Sequence, residues 1–445
     1  MASDLLSIGR SGAQTSRAAL DVAAQNIANA ASEGYVRRSV RLEEVAASGG
    51  FARIGDLSLS GVRLDRVVRN ADLFRQAEVR RTGADAARAT AEVTGLENIE
   101  AAVEQARVFP AIVQFEAALQ QLAVDPVDPS LRAAVIEDAR TMARTFNIAA
   151  TSLDAVGTGL RFEAADGVNQ INALAGELAR VNLRLARAAD ASSDQTALLD
   201  QRDSLLQRLS GFVDVSATIS ADQTVEVRLG GATGPQLVIG GTASPFAMTT
   251  AGNGTVAFTV GGNPAAPSGG ALAGKALALD KLDAIRTSLD TIAASLVTTL
   301  NAAQAGGAAL DGLPGQPILT GSTAASMALA FEDGRLLATA PAGTGAGSRD
   351  PGNLVAMRTA LAGANPAGAM DALIFDISGT VAGRSITRDA LMTIANTAEV
   401  ALKAQSGVDL DQEAVNLVRF QQAFQASGRV MQVAADLFDT LLAIR

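Results

Sequence analysis

Two stretches at opposite ends of the chain carry a seven-residue period of apolar or small side chains. Between Asp4 and Ala31, the positions Leu5, Ile8, Gly12, Thr15, Ala19, Val22, Asn26 and Asn29 fall on one stripe. Between Leu410 and Leu442, Leu410, Leu417, Phe424, Met431 and Phe438 share one position, and Phe420, Ala434 and Leu441 share another. A near-heptad stripe is what a helix uses to bury a seam against other helices. The spacing therefore predicts two terminal helices that pair although almost the whole chain separates them. The first is expected to start at Ser3 or Asp4, both N-cap types, and to stop before Gly34, which can take the left-handed exit conformation. At 1.5 Å per residue it is about 40 Å long.

Between the ends the period changes several times. Val36 to Val68 reads as short alternating, extended pieces. From about Asn70 to Leu209 the spacing is helical, broken at Asp125-Pro-Val-Asp-Pro129, with Ser130 placed to cap the next helix and a turn near Asp190 to Asp194. At Phe212 the period becomes two, and Gly-rich turns separate four alternating runs, the pattern of a small antiparallel β domain. A helix carrying Leu279, Leu282, Ile285, Leu289, Ile292, Leu296 and Leu300 follows. Ala305 to Ser348 is rich in Gly, Ala and Pro, with β-like pieces at Met327–Phe331 and Arg335–Ala338, and helical spacing resumes from Gly352 to Lys403. The expected fold class is mainly α: an elongated, multi-domain chain with paired terminal coiled-coil-like helices, a central long-helix bundle and small antiparallel β inserts. The expected domains are a terminal helical core (1–35 with 406–445), an extended or β segment (36–69), a helical bundle (70–211 with 271–305 and 349–405), a small β domain (212–270) and a short irregular or β insert (306–348).

Composition narrows the function. Of 445 residues, 48% are apolar but only 3% aromatic, so the cores are aliphatic, as suits packed helices. The net charge of −10 argues against nucleic-acid binding, which needs clustered Lys and Arg. The sequence has no Cys and no His, which removes disulfides, thiol nucleophiles, imidazole bases and the usual zinc ligands. No run is apolar enough to span a membrane, and the N-terminus lacks the basic region and apolar core of a Sec signal. Gly269-Gly-Ala-Leu-Ala-Gly-Lys275 fits the outline of a phosphate loop, but Ala276 follows where Ser or Thr is needed and no buried strand is expected before it; a loop leading into a helix is the better reading. Asp200 and Asp203 flank Arg202 and read as an ion-pair network near a helix end; Asp125 and Asp128 read as residues bracing their own turn. Asn26 and Asn29 sit on the first helix's seam, where a buried Asn fixes register at a cost in stability; the alternative is that both cap the turn to Gly34. No catalytic, cofactor or metal site is expected.

Ala24-Gln-Asn-Ile-Ala-Asn-Ala30 followed by Ser32-Glu-Gly-Tyr-Val-Arg37 resembles the N-terminal motif of the bacterial flagellar axial proteins, the rod, hook and hook-associated proteins. Gln25 and Ser32-Glu33 depart from the usual Asn and Thr-Pro. The segment Ser406 to Ser427 and the ending Leu437-Phe-Asp-Thr-Leu-Leu442 resemble the C-terminal motif of the hook-associated branch, and Leu198-Leu-Asp-Gln-Arg-Asp203 and Asp125 to Pro129 are further matches to it. The resemblance implies a structural subunit joining hook to filament, which assembles with copies of itself into a tubular ring. On one side lies the hook protein, on the other the next junction protein leading to flagellin. It also implies type III export, a chaperone at the C-terminal region, and a final place outside the cell. On this reading the assembly interface comprises Leu5, Ile8, Leu20, Asn26, Ile27 and Asn29 on the first helix, with Leu417, Phe420, Phe424, Met431, Phe438 and Leu441 on the last. The end helices are expected to be poorly ordered until neighbours supply their seam, because isolated helices are marginal in water. Three alternatives stay open: another axial subunit such as a hook or distal rod protein, a secretion-needle adhesin, and a carboxylate-based cell-wall hydrolase.

Overall fold

The computed structural model describes residues 2–32, 34–46, 59–189 and 193–443; the side chains of 2–4, 45–46, 59–60, 193 and 441–443 are not described. The chain is mainly helical, with a few small antiparallel sheets. In order it forms α1 (Ala2–Asn29), β1 (Arg38–Ala46), β2 (Leu59–Arg69), α2 (Leu73–Ala106), α3 (Val108–Leu122), α4 (Pro129–Leu185) and α5 (Ser193–Phe212). Strands β3 (Val215–Ile219), β4 (Val225–Leu229), β5 (Gln236–Ile239), β6 (Thr242–Ala243), β7 (Phe246–Thr250), β8 (Val256–Val260) and β9 (Asn263–Ala265) lead to α6 (Gly270–Ala305). The short strands β10 (Gly307–Ala308), β11 (Leu319–Thr320), β12 (Ala328–Leu329) and β13 (Ala340–Pro341) precede α7 (Gly352–Ala364), α8 (Pro366–Ser406) and α9 (Leu410–Ala443).

Two compact units result. The first takes Met1–Ala84, Ile171–Pro245 and Met392–Arg445; the second takes Asp85–Gln170 and Phe246–Leu391. The period-two run is shared between them: β3-β4-β5-β6 is a four-stranded antiparallel sheet of the first unit, and β7-β8-β9 a three-stranded one of the second.

The second unit holds one continuous aliphatic core. Leu96 and Ile99 of α2, Phe115 and Leu119 of α3, and Met142, Phe146 and Leu153 of α4 close on Leu289 and Leu296 of α6. Leu354 and Met357 of α7 and Ile377 of α8 complete it. These are the positions whose 3–4 spacing predicts helices, and burying each large side chain contributes roughly 1.5–3 kcal/mol. Helices α2 and α6 approach closely because small residues meet: a Cβ on Gly95 would lie 2.5 Å from Ala278 Cβ.

Local chemistry corrects several boundaries. Arg107, in left-handed conformation (φ +59°), separates α2 from α3, a break that the uninterrupted apolar spacing hides. Asp128, not Ser130, caps α4: its Oδ1 accepts the amides of Ser130 and Leu131 at 2.7 and 2.9 Å. A carboxylate one residue before the Pro129 start reaches both free amides, whereas Ser130 is already inside the helix. The Asp125 side chain does not brace its turn as expected; it faces Arg349 at 3.6 Å. The piece Arg335–Ala338, expected to be β-like, begins in a 3₁₀ turn (Gly334–Leu336). The glycine-rich run before Lys275 is mostly the first turns of α6, and Lys275 Nζ pairs with Glu163 at 2.6 Å. The expected turn near 190–194 falls mainly outside the described residues.

Arg132 explains how the irregular 307–341 region holds its place. Its guanidinium is fully buried with no carboxylate; it donates to the carbonyls of Pro126 (2.6 Å), Gly334 (3.0 Å) and Leu337 (2.9 Å) and to Thr339 Oγ1 (2.7 Å). Burial lowers its pKa, and the four acceptors replace the water it has lost.

Phe146→Ala should destabilise this unit by about 3–5 kcal/mol, the range for emptying a fully buried aromatic site. Denaturant unfolding followed by circular dichroism measures it; a loss below ~1 kcal/mol would contradict the core assignment.

Candidate assembly surface and its polar anchor

Helices α1 and α9 run antiparallel along each other. A Cβ on Gly9 would lie 2.7 Å from Met431 Cγ, one on Gly12 would lie 2.7 Å from Ser427 Oγ, and Asn26 reaches Glu413 near the other end. The seam of α1 is built of small residues: Ala13, Thr15, Ala19 and Ala23 are buried, with Val22 beside them. Strand β2 closes over the same helix. Gly61 (φ +91°) presses against Ser11, whose Oγ accepts the Val62 amide at 3.3 Å. Any side chain at Gly61 would meet both a strained backbone and Ser11.

The sequence-predicted interface residues divide into two groups. Leu417, Phe420 and Met431 of α9 are half-buried, as are Ile8, Leu20 and Ile27 of α1. Phe424 and Phe438 are exposed, at 43% and 54%, as is Leu5. Leu441 lies in α9, with its side chain outside the described residues. The heptad reading puts Phe424 and Phe438 in line with Leu417 and Met431, yet between Phe424 and Met431 it is Ser427 that α1 meets, through Gly12. A strict seven-residue repeat also drifts around a straight helix by about 20° per heptad. The exposed face of α9 carries further apolar side chains that the heptad reading passed over: Val415, Val418, Val430, Val433 and Leu437. Their 3–4 spacing at 430, 433 and 437 is the signal that marks them as a second stripe.

The two seam asparagines behave differently. Asn26 is 1% exposed and has both ends satisfied. Its Nδ2 donates to Arg38 O (2.8 Å) and Glu413 Oε2 (3.1 Å); its Oδ1 accepts from the Arg38 amide (3.0 Å) and Tyr35 Oη (2.9 Å). It fixes the entry to β1 and the start of α9 at once. Asn29 is half-buried and donates to Gln25 O one turn back, so it takes the helix-end role.

Around Asn26 lies a network of charge. Arg37 Nε pairs with the buried Glu413 at 2.8 Å. Arg38 reaches Asp200 at 3.0 Å, and Arg69, its cross-strand partner at the root of the β1–β2 hairpin, reaches Asp200 at 2.8 Å and Asp203 at 3.0 Å. Arg202, 1% exposed, donates twice to Asp203 Oδ1 (2.9 and 2.8 Å), and Gln76 Nε2 donates to Asp203 Oδ2 (3.0 Å). The Asp-Gln-Arg-Asp run of α5 is thus the socket for the root of the hairpin. Sequence reasoning found the network but not its partners, because Arg38, Arg69 and Glu413 are distant in sequence. Burial acts to raise the Asp203 carboxyl, but Arg202 and Arg69 outweigh it and hold it below the usual carboxylate range. Asp200 and Asp203 are each tied to arginines, an arrangement that positions segments rather than one that leaves two free carboxylates converging in a cleft. Among the described residues no group of acids fits a metal ion, and no helix is long and apolar enough to cross a membrane.

These features define a mainly helical protein whose first and last helices pack together, whose hairpin is locked by charge, and whose last helix carries exposed apolar side chains. The family model for the flagellar hook-associated protein FlgK helical domain matches residues 93–319, and that for the flagellar basal body rod FlgEFG protein C-terminal matches 404–444. The chain belongs to the FlgK family of flagellar hook-associated proteins, as its terminal and Asp-Gln-Arg-Asp motifs imply. It is similar to flagellar hook-associated protein 1 of Bacillus subtilis (strain 168), 27% identical over 240 residues, covering 50% of this chain and 47% of that protein. The protein of the same name from Escherichia coli (strain K12) is 26% identical over 249 residues, covering 55% and 45%. The chain therefore spans about half the length of the curated relatives it matches. The flagellar hook junction protein FlgK from Burkholderia pseudomallei shares the fold, with a TM-score of 0.65 at 15% identity over 74% of this chain and 100% of that one.

Because the Asp203 pKa is depressed on folding, its contribution is present above the unfolded carboxylate pKa and is lost as pH falls through the folded value. Stability should therefore fall on acidification below about pH 4. Asp203→Asn should cost about 3–5 kcal/mol at neutral pH and flatten that acid dependence; thermal melts across pH would read both, and an unchanged acid limb would refute the assignment.

Proposed function

We propose that this chain is a structural junction subunit of the bacterial flagellum, joining hook to filament. It assembles with copies of itself into a short tubular ring through its terminal helices. The observation that carries this reading is the apolar surface that α9 leaves uncovered, a stripe of Val430, Val433 and Leu437 and, on another side of the helix, Phe424 and Phe438. Phe424, Val430, Val433, Leu437 and Phe438 are all exposed on a helix whose only fully buried described side chains are Glu413 and Ala434. Contiguous exposed apolar patches mark interaction sites, and covering each such side chain is worth roughly 1.5–3 kcal/mol. Leu5, Ile8, Leu20, Ile27, Leu417, Phe420, Met431 and Leu441 complete the proposed interface, with Asn26 and Asn29 setting its geometry. The family of the chain, the pairing of its ends and the match of residues 404–444 to an axial C-terminal family all support it.

On this reading the neighbours are the hook protein on one side and, on the other, the next junction protein, which leads on to flagellin. The subunit leaves the cell through the flagellar type III channel, with an export chaperone covering the apolar C-terminal region. Its working place is the extracellular hook–filament junction. The rod-protein character of residues 404–444 also favours a second reading, an axial subunit of hook or distal rod. Immunogold labelling along the whole hook, instead of at its tip, would select that reading.

Deleting the protein should give hooks without filaments by electron microscopy. Phe424→Asp should give the same phenotype while the second unit stays folded by circular dichroism; normal filaments on that variant would refute the interface. In the free subunit, limited proteolysis should remove the terminal helices first, and protease-resistant termini would contradict assembly-coupled ordering.

A further inference from the structure

The charge network of the first unit does not balance. Five arginines gather there (Arg37, Arg38, Arg69, Arg80 and Arg202) around three carboxylates, Asp200, Asp203 and Glu413. Glu399 and Lys403 nearby pair with each other at 2.6 Å and add no net charge. Four of the five arginines have a carboxylate partner; Arg80 has no hydrogen-bond or ion-pair acceptor among the described residues, and Arg38 Nε is buried without one. Arg80 is half-buried, and burial lowers its pKa, with Arg202 acting in the same direction and Asp203 opposing. Uncompensated cations in a desolvated site are costly, and a guanidinium is shaped to take a carboxylate in two parallel hydrogen bonds.

Arg80 does not face solid protein. It lines an open cavity of about 530 Å³, walled by the ends of α1 and α8 and by α2 and α5, with Ser204 and Gln207 on the α5 side. That volume lies within the range of ordinary ligand sites. We propose that this cavity is an acceptor site for a carboxylate side chain of a second copy of the chain, docked onto Arg80. The occupant follows from charge: the chain carries 46 acidic residues against 36 basic ones, so a copy packed alongside brings surplus carboxylates to a site with surplus arginines. The proposal rests on the ring assembly proposed above and adds to it a polar, register-setting contact distinct from the apolar side chains of α9.

The chain has no cysteine, so a single thiol reports on the cavity alone. Gln207→Cys places it on the cavity wall at an exposed position, and Thr250→Cys places a control on an exposed strand of the other unit. Both are reacted with polyethylene-glycol maleimide as free subunit and in isolated flagella. The expected result is ready labelling of both in the free subunit, and loss of labelling at 207 alone in flagella. Full labelling at 207 in flagella that carry normal filaments overturns the cavity proposal and leaves the junction reading standing; absence of the protein from flagella overturns the junction reading itself. Two further results would reassign the site. Glu33 lies next to the cavity-lining Ser32 and Gly34 in sequence. If Glu33→Gln lowers the free subunit's melting temperature as much as Arg80→Gln does, the acceptor serves the chain's own Glu33. If citrate raises the melting temperature of the free subunit and Arg80→Gln abolishes the rise, while 207 stays open in flagella, the site takes a free carboxylate.

Discussion

Asp203 accepts hydrogen bonds from its own neighbour Arg202 in α5 and from two side chains far away in sequence, Arg69 at the end of the hairpin and Gln76 in the first turn of α2. Asp200, one turn earlier, holds Arg69 and Arg38 together, and Arg38 is also gripped through its backbone by Asn26. The path of the chain out of α1, through the hairpin and into α2 thus hangs on two carboxylates spaced three residues apart on one helix face. Burying such pairs adds little net stability against an apolar alternative, but removing one partner strands the other. Its value here is positional, since all the bonds close in one register of the hairpin and fail together in any other.

The same anchor sets the terminal pair. Glu413, in the first turn of α9, is bound by Asn26 and Arg37, so the last helix meets the first at a fixed level. From there the small residues of α1 take over: Gly12 and Gly9 let α9 lie close, with Ser427 and the Met431 side chain set against them. Phe424, Phe438 and the four valines of α9 are left exposed. The pair thus combines a seam of small residues on one helix with uncovered apolar side chains on the other.

The second unit follows a different logic. Its helices bury a continuous aliphatic core without help from elsewhere, and its irregular region is held by one arginine satisfied wholly by carbonyl and hydroxyl oxygens. A unit of this kind needs no second copy to complete its core, whereas α9 has far more apolar surface than α1 covers.

Period and punctuation alone identified the helices, the change to strands at residue 212 and the pairing of the two ends, because amphipathic spacing is a local property that burial enforces residue by residue. The motifs around Asn26, Asp200 and Glu413 marked the family for the same reason: they are contiguous. Hidden from the sequence were the left-handed break at Arg107, the capping of α4 by Asp128, the sharing of the strands between two units, and the partners of Asp200 and Asp203. Each depends on where distant segments come to rest. The heptad stripe of α9 shows the limit most plainly. A one-dimensional repeat places Phe424 beside Met431, and only the packing of α1, whose Gly9 meets Met431 in three dimensions, decides that Met431 is half-buried and Phe424 exposed.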